Sequence, residues 1–219
     1  VKINYIGHAC FMMHTKAGTR ILMDPYDASV GYPVPKAGSV AADCVTASHG
    51  HHDHNAVEWL AKPYELIDKA GRYTVKDVAV TAIPCWHDEV QGQKRGPNLI
   101  FIYQADGVRL CHLGDLGHEL DEETLAAIGQ VDALLAPVGG YFTLEPELMA
   151  RQVRALSPEI VIPMHYATEF TSLPIAGPQR FIAEIGGAVE LECSQLVLGG
   201  ETAPGVYLLQ PASKFFDRA

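Results

Sequence analysis

The chain lacks several features that whole classes of protein require. No apolar run approaches the ~18 residues of a membrane span. No basic cluster stands out, and 16 basic against 26 acidic residues leave a net charge of −10. A surface this acidic repels phosphate backbones, so a long nucleic acid is not an expected partner. Cysteine is sparse: Cys10, Cys44, Cys85, Cys111 and Cys193 make an odd number with no CxxC pair. They read as the reduced thiols of a cytoplasmic protein rather than a disulfide frame. The opening Val1-Lys2-Ile3-Asn4-Tyr5 is strand-like and carries no mark of a signal peptide. Linkers, low-complexity stretches and short repeats are also missing, and the composition excludes a disordered chain, a coiled coil or a collagen.

What is present is a 219-residue chain, 48% hydrophobic, with 20 Gly and 14 Pro, long enough to bury a sizeable core. A single domain spanning residues 1–219 is the simplest expectation. Short apolar runs bounded by Gly, Pro and Asp predict strands at Lys2–Ile6, Cys10–Thr15, Arg20–Met23, Cys44–Ala47, Val78–Ile83, Leu99–Gln104, Val108–His112, Ala133–Ala136, Ile160–Pro163, Ala188–Leu191 and Val206–Leu209. Continuous runs such as Leu99-Ile100-Phe101-Ile102-Tyr103 suit strands buried on both faces. Asp106-Gly107 predicts a tight hairpin. Helical spacing predicts helices over Glu122–Ile128 (capped by Asp121), Pro146–Leu156 and Pro178–Ile185. A short helix is predicted over Ala56–Ala61, with Asn55 and Glu58 in a capping-box arrangement. The segment 31–38, with two prolines, reads as a long surface loop. Strands outnumber helices, and helices outside two packed sheets would bury the continuous runs, an α/β (α+β) class.

Histidine is the abundant residue. There are ten, and four fall within six positions in His49-Gly50-His51-His52-Asp53-His54, between a predicted strand and a predicted helix. Imidazole and carboxylate are the donors that zinc and similar divalent ions accept. His49 and His51, two apart, point the same way in extended backbone, whereas the adjacent Asp53 and His54 diverge. That geometry suits two ions better than one. Three further donors, His87, Asp115 and His165, each follow a predicted strand, as residues of a site built on one rim of a scaffold do.

His49-x-His51-x-Asp53-His54 followed by His87, Asp115 and His165 resembles the metallo-β-lactamase superfamily. More narrowly, Gly7-His8-Ala9-Cys10-Phe11, Ile21-Leu22-Met23-Asp24-Pro25, Arg95-Gly96-Pro97-Asn98, His112-Leu113-Gly114-Asp115 and Ile162-Pro163-Met164-His165-Tyr166 resemble the small branch of zinc-dependent hydrolases that contains L-ascorbate 6-phosphate lactonase. The resemblance implies a four-layer αββα sandwich with metals at one edge between the sheets. It implies one ion on His49, His51 and His87, a second on Asp53, His54 and His165, and Asp115 bridging them, with Asp24 supporting the metal loop from behind. The implied cofactors are two divalent cations, Zn²⁺ first and Mn²⁺ or Fe²⁺ also accepted by such donors. Two ions about 3.5–4 Å apart activate a shared water for attack on a carbonyl or phosphorus centre. Asp53 could both ligate and orient that nucleophile.

Other residues are left with two readings each. His8 lines the site or makes a structural hydrogen bond. His118 supports the site or starts the next turn. Lys94 and Arg95 meet an anionic group of the substrate or form a solvated turn. Tyr141 and Phe142 wall the pocket or anchor a loop, and Trp86 is similarly open. His52, in the variable slot of the motif, reads as a non-ligand, and His14 and His112 as packing residues. The expected activity is hydrolysis of an ester, lactone or phosphoester bond in a small substrate. A small-substrate phosphodiesterase or nuclease is the alternative. A non-catalytic metal-binding protein ranks lower, as does a diiron redox protein, for which the resemblance would call for Glu rather than His51 and a flavin-carrying domain.

Overall fold

The computed structural model describes residues 1–200 and 202–212. Among them the elements run β1 (Lys2–Gly7), β2 (Cys10–His14), β3 (Arg20–Met23), β4 (Cys44–Thr46), β5 (Glu65–Ile67), β6 (Gly71–Val75), β7 (Val78–Trp86), β8 (Pro97–Ala105) and β9 (Val108–His112). There follow α1 (Glu122–Ile128), β10 (Ala133–Pro137), α2 (Pro146–Leu156), β11 (Ile160–Met164), α3 (Gln179–Ile185), β12 (Val189–Glu190), β13 (Gln195–Val197) and β14 (Gly205–Leu208). They form two sheets, ordered β13-β1-β2-β3-β4-β5 and β12-β14-β11-β10-β9-β8-β7-β6.

The period-2 alternation of strand side chains explains how the apolar runs are used. In β8, Phe101 and Tyr103 face the layer between the sheets, where they meet Phe11 and Met13 of β2 and Leu135 of β10. The intervening Ile100 and Ile102 face the other way, against Ile128, Met149 and Phe181 of the helices. This strand is therefore buried on both faces, as its continuous run requires. Each fully buried aliphatic or aromatic side chain contributes roughly 1.5–3 kcal/mol. The Asp106-Gly107 turn joins β8 to β9 with Ala105 opposite Val108 and both turn residues at positive φ (53° and 76°), as a tight hairpin demands.

The architecture is the expected mixed sandwich of two sheets, with α1, α2 and α3 covering the second. The outer face of the first sheet is covered differently. Cys10, Met12, Leu22 and Val45 pack under Tyr26, Val30, Tyr32, Trp59 and Leu60, which lie in irregular segments and two single-turn 3₁₀ elements, Ala28–Val30 and Val57–Trp59. The predicted helix over Ala56–Ala61 is thus reduced to one 3₁₀ turn, and Asn55 does not cap it. Tertiary pairing wins here: Ala56 N–H donates to the Pro25 carbonyl, the Glu58 and Trp59 carbonyls accept from Gly38 and Val40, and Leu60 bridges Val40 as extended chain. The loop at 31–38 is largely exposed, as expected of a surface loop, with Tyr32 alone buried as its anchor.

Three strands escaped prediction. β5, β6 and β13 are short or carry polar residues, and they lie at or near sheet edges where one side needs no apolar partner. Among the described residues no helix is long and apolar enough to cross a membrane.

Candidate metal centre

The candidate donors converge at one end of the sandwich, where β4, β7, β9 and β11 run out. The loop after β4 is tied to both sheets. Ala47 N–H donates to Ile67 O of β5, and Ser48 O accepts from Leu99 N–H of β8. His54 N–H closes a turn on His51 O, and His52 O accepts from Asp27. His49 and His54 are buried by this, Asp53 is partly exposed, and His51 and His52 face solvent.

Behind the loop sits Asp24, 1% exposed and held at φ 45° just after β3. Its Oδ1 accepts from Ser48 N–H (2.8 Å) and its Oδ2 from the Ser48 hydroxyl (2.5 Å) and His54 Nδ1–H (2.7 Å). The Ser48 hydroxyl spends its one proton on Asp24, so its oxygen accepts from His49 Nδ1–H at 3.0 Å. One carboxylate therefore sets the tautomer of two imidazoles and leaves Nε2 of each as the lone pair facing the centre.

His87 lies one residue beyond β7, its N–H bonded to Gly96 O. Asp115 lies three residues beyond β9. Its N–H is received by buried Asn98 Oδ1 (3.0 Å), and Asn98 also donates to Leu113 O. Gly114 permits this turn: it has φ 55°, and a Cβ there would sit 2.4 Å from Asn98 Oδ1 and 2.7 Å from Ser48 Cβ. His112 is more than a packing residue. It bridges Ala9 O (2.9 Å) and Gly114 N–H (3.0 Å), fixing the same turn from the other side. His165, the first residue past β11, has φ 51° and donates its N–H to the carbonyl of His8, itself at φ 55°. Left-handed non-glycine residues cost about 1–3 kcal/mol each and gather where a site imposes them.

Asp115 occupies the middle of the cluster. Its Oδ2 lies 3.2 Å from His87 Nε2, 3.2 Å from His165 Nε2 and 3.9 Å from His49 Nε2, and its Oδ1 lies 3.2 Å from His54 Nε2. Asp53 Oδ2 is 3.5 Å from His54 Nε2 and 3.3 Å from His8 Nε2. Three donor groups result, each with its atoms within 4.8 Å of one another: His49, His51 and His87; His8, Asp53, His54 and His165; and His49, His54 and Asp115. The structure thus brings together all seven residues expected as ligands and adds His8, whose role the sequence left open.

Nε2 of His49, His54 and His165 and Oδ1 of Asp115 are buried with no hydrogen-bond partner. Orphaned lone pairs facing one another are costly unless a cation satisfies them, so this donor set fits divalent ions. The electrostatics agree. Burial, with the charge of His54, pushes His49 down to about 3, and burial lowers His87, so both are neutral donors at neutral pH. Burial would also lower His54, but the charges of Asp115 and Asp53 raise it. Burial would raise Asp115 and Asp53, yet the surrounding imidazoles, His165 and His54 for Asp115 and His54 for Asp53, hold both in the ionised form. The pocket is a place that calls for positive charge.

The remaining expected residues are more scattered. His118 accepts Trp86 N–H (3.2 Å) and contacts Glu119 O (2.9 Å), bracing the strand end before His87 without reaching the donors. Lys94, Arg95 and Phe142 border a cleft of about 290 Å³ that opens onto Asp53, His87 and Asp115. Tyr141 is 61% exposed; its carbonyl accepts from Arg95 and its ring meets the Phe142 ring edge-on at 4.7 Å. Sequence reasoning assigned no role to Asn98 or Asp88. An Asn directly before the apolar run that starts at Leu99 was the available signal for the first. For Asp88 it was a carboxylate opening a turn that carries Gly92 and Gly96.

Two packed sheets with a His/Asp cluster on one edge between them define the class of metal centre built on the metallo-β-lactamase fold. The chain belongs to the beta-lactamase superfamily domain family, which matches residues 2–165. It is 31% identical to a UPF0173 metal-dependent hydrolase of Archaeoglobus fulgidus over 198 residues, 77% of this chain and 84% of that protein. It is 31% identical to a namesake in Thermococcus onnurineus over 217 residues, 87% of this chain and 95% of that protein. A Thermotoga maritima structure, described as a candidate Zn-dependent hydrolase of the metallo-β-lactamase superfamily, superposes with a TM-score of 0.79 at 31% identity, covering 95% and 97% of the two chains. The narrower lactonase likeness rests on the sequence motifs alone.

Proposed function

We propose that this protein is a metal-dependent hydrolase that holds two divalent cations, zinc in the first instance, and cleaves an ester, lactone or phosphoester bond of a small substrate. The observation that carries the reading is the set of buried, unpartnered Nε2 and Oδ1 atoms around Asp115, in a chain whose relatives are named metal-dependent hydrolases. His49, His51 and His87 would hold one ion. Asp53, His54 and His165 would hold the other, with Asp115 shared between them. When bound, such a pair lowers the pKa of a water and stabilises the oxyanion that develops on the substrate.

The chain's own residues supply the rest. Asp24 fixes both imidazole tautomers, directly at His54 and through Ser48 at His49. Asp53 stays ionised and reaches the cleft, so it acts as an acceptor that orients the attacking nucleophile, while the Nε2–H of His8 holds its Oδ2. The size of the cleft, about 290 Å³, suits a small molecule. The unpaired cysteines support a cytoplasmic setting.

The test is metal analysis combined with a panel of lactone, thioester and phosphodiester substrates. Near two equivalents of metal, and turnover on one panel member that Asp53→Ala abolishes while the fold is retained, support the reading. Hydrolysis that persists after the metal is fully removed overturns it.

A further inference from the structure

Lys94 and Arg95 stand side by side at the rim of the cleft beside the donors. The two are not equivalent. Lys94 is exposed, and its ammonium pairs with Glu89 in solvent. Arg95 is half-buried, and its guanidinium is fixed from two sides. One Nη donates to Tyr141 O at 3.0 Å, and Cζ lies 5.7 Å from the centre of the Phe142 ring. Among the described residues no carboxylate lies within ion-pair distance of this guanidinium, whereas Arg151 and Arg180 each pair with glutamates. Of its five N–H donors, the protein engages few.

The backbone beneath Arg95 is fixed as well. Asp88, 1% exposed, accepts the N–H groups of Val90 (2.9 Å), Gly92 (2.8 Å), Lys94 (2.9 Å) and Arg95 (2.7 Å). Both oxygens are spent on the loop, so this carboxylate shapes the turn that carries the guanidinium. Phe142, beside the guanidinium, and Leu173 line the same cleft as Asp53 and Asp115.

We propose that Arg95 is the specificity-determining residue of the cleft. It receives an oxyanion group, carboxylate or phosphate, on the end of a small substrate opposite the bond that lies at the His/Asp cluster, and Asp88 is its positioning residue. A planar fork that is oriented in advance and lacks a partner carboxylate suits such a group better than a solvated ammonium does. The inference rests on the hydrolase reading for what happens at the other end of the substrate.

Isothermal titration of the metal-loaded full chain tests it. Succinate, glutarate, adipate and 3-phosphonopropionate are each compared with the monoacid of the same length that lacks the second anionic group. At least one dianion should bind about tenfold or more tighter than its monoacid. Arg95→Gln should erase that ratio and Arg95→Lys should retain part of it. A carboxylate preference and a phosphonate preference identify the two sources of the oxyanion. Asp88→Asn should lower the same ratio while circular dichroism still reports a folded protein; a changed melting point with an unchanged ratio removes Asp88 from the proposal. An unchanged ratio in Arg95→Gln, or no preferred dianion in the unaltered protein, overturns the role of Arg95. Because the readout is equilibrium binding, failure of every ester to turn over would refute the hydrolase reading and leave the Arg95 result standing.

Discussion

Two loops meet at the metal centre, and each is wrapped around a buried aspartate. In the 47–55 loop, Asp24 spends one oxygen on a backbone N–H and the other on a hydroxyl and an imidazole. In the 88–96 loop, Asp88 spends both oxygens on four backbone N–H groups. The first arrangement fixes which nitrogen of a histidine carries its proton, and so it governs chemistry. The second fixes where the chain goes, and so it governs shape. Identical side chains at similar depth thus divide the labour of one site: one prepares donors for cations, the other presents a cation to the cleft.

The comparison can be sharpened by a graded series of substitutions. The upper limit is Asp115→Ala, which removes the carboxylate that both loops face. Metal content should collapse and hydrolysis should fall by more than about a hundredfold, since loss of mere outer support costs 10–100-fold. Asp24→Asn should come next, weakening metal affinity by about 10–100-fold in competition with a chelator while the dianion-to-monoacid ratio at Arg95 is kept.

Asp88→Asn should leave metal affinity nearly intact and cost about 1–3 kcal/mol of stability in urea unfolding. A loss of metal as large as that in Asp24→Asn would break the division drawn between the two loops. The pH dependence of this variant carries a sign. Burial would raise the Asp88 carboxyl, but its backbone donors hold it down to about 2, below the usual unfolded value of about 3.9. Its stabilisation is therefore complete above that unfolded value and is lost as pH falls from about 4 to about 2. The stability gap between the unaltered protein and Asp88→Asn should close over that window. A gap that stays constant would mean that the charge is not its source.

The smallest effect is expected at the other end of the sandwich. Gly107→Ala, at φ 76° with open space around its Cα, should cost about 1–2 kcal/mol and leave both metal and activity untouched.

Much of this site could be read in the linear sequence because its donors follow apolar strands, and such strands announce themselves. The runs before His49, His87, Asp115 and His165 became β4, β7, β9 and β11, and parallel or antiparallel pairing brings their ends to one rim. What stayed hidden depends on pairings between distant segments. The helix expected after Asn55 yielded to hydrogen bonds with residues 25, 38 and 40, none of which local spacing can reveal. β13 escaped because it is only three residues long and borders β1 alone, so its short apolar run does not stand out. His8 sits beside a strand like several other histidines; what sets it apart is the left-handed carbonyl that receives His165 N–H across the two sheets. Asn98 and Asp88 escaped because the partners that give them their roles are backbone groups of distant or turn residues, which no motif records.

The three donor groups share one further property. His8, His49, His51, Asp53 and His54 come from loops of the first sheet, and His87, Asp115 and His165 from loops of the second. Neither leaf owns a complete set. An ion held by these groups would therefore be a rivet through both leaves, and its binding would tie the two sheets together rather than order a single loop.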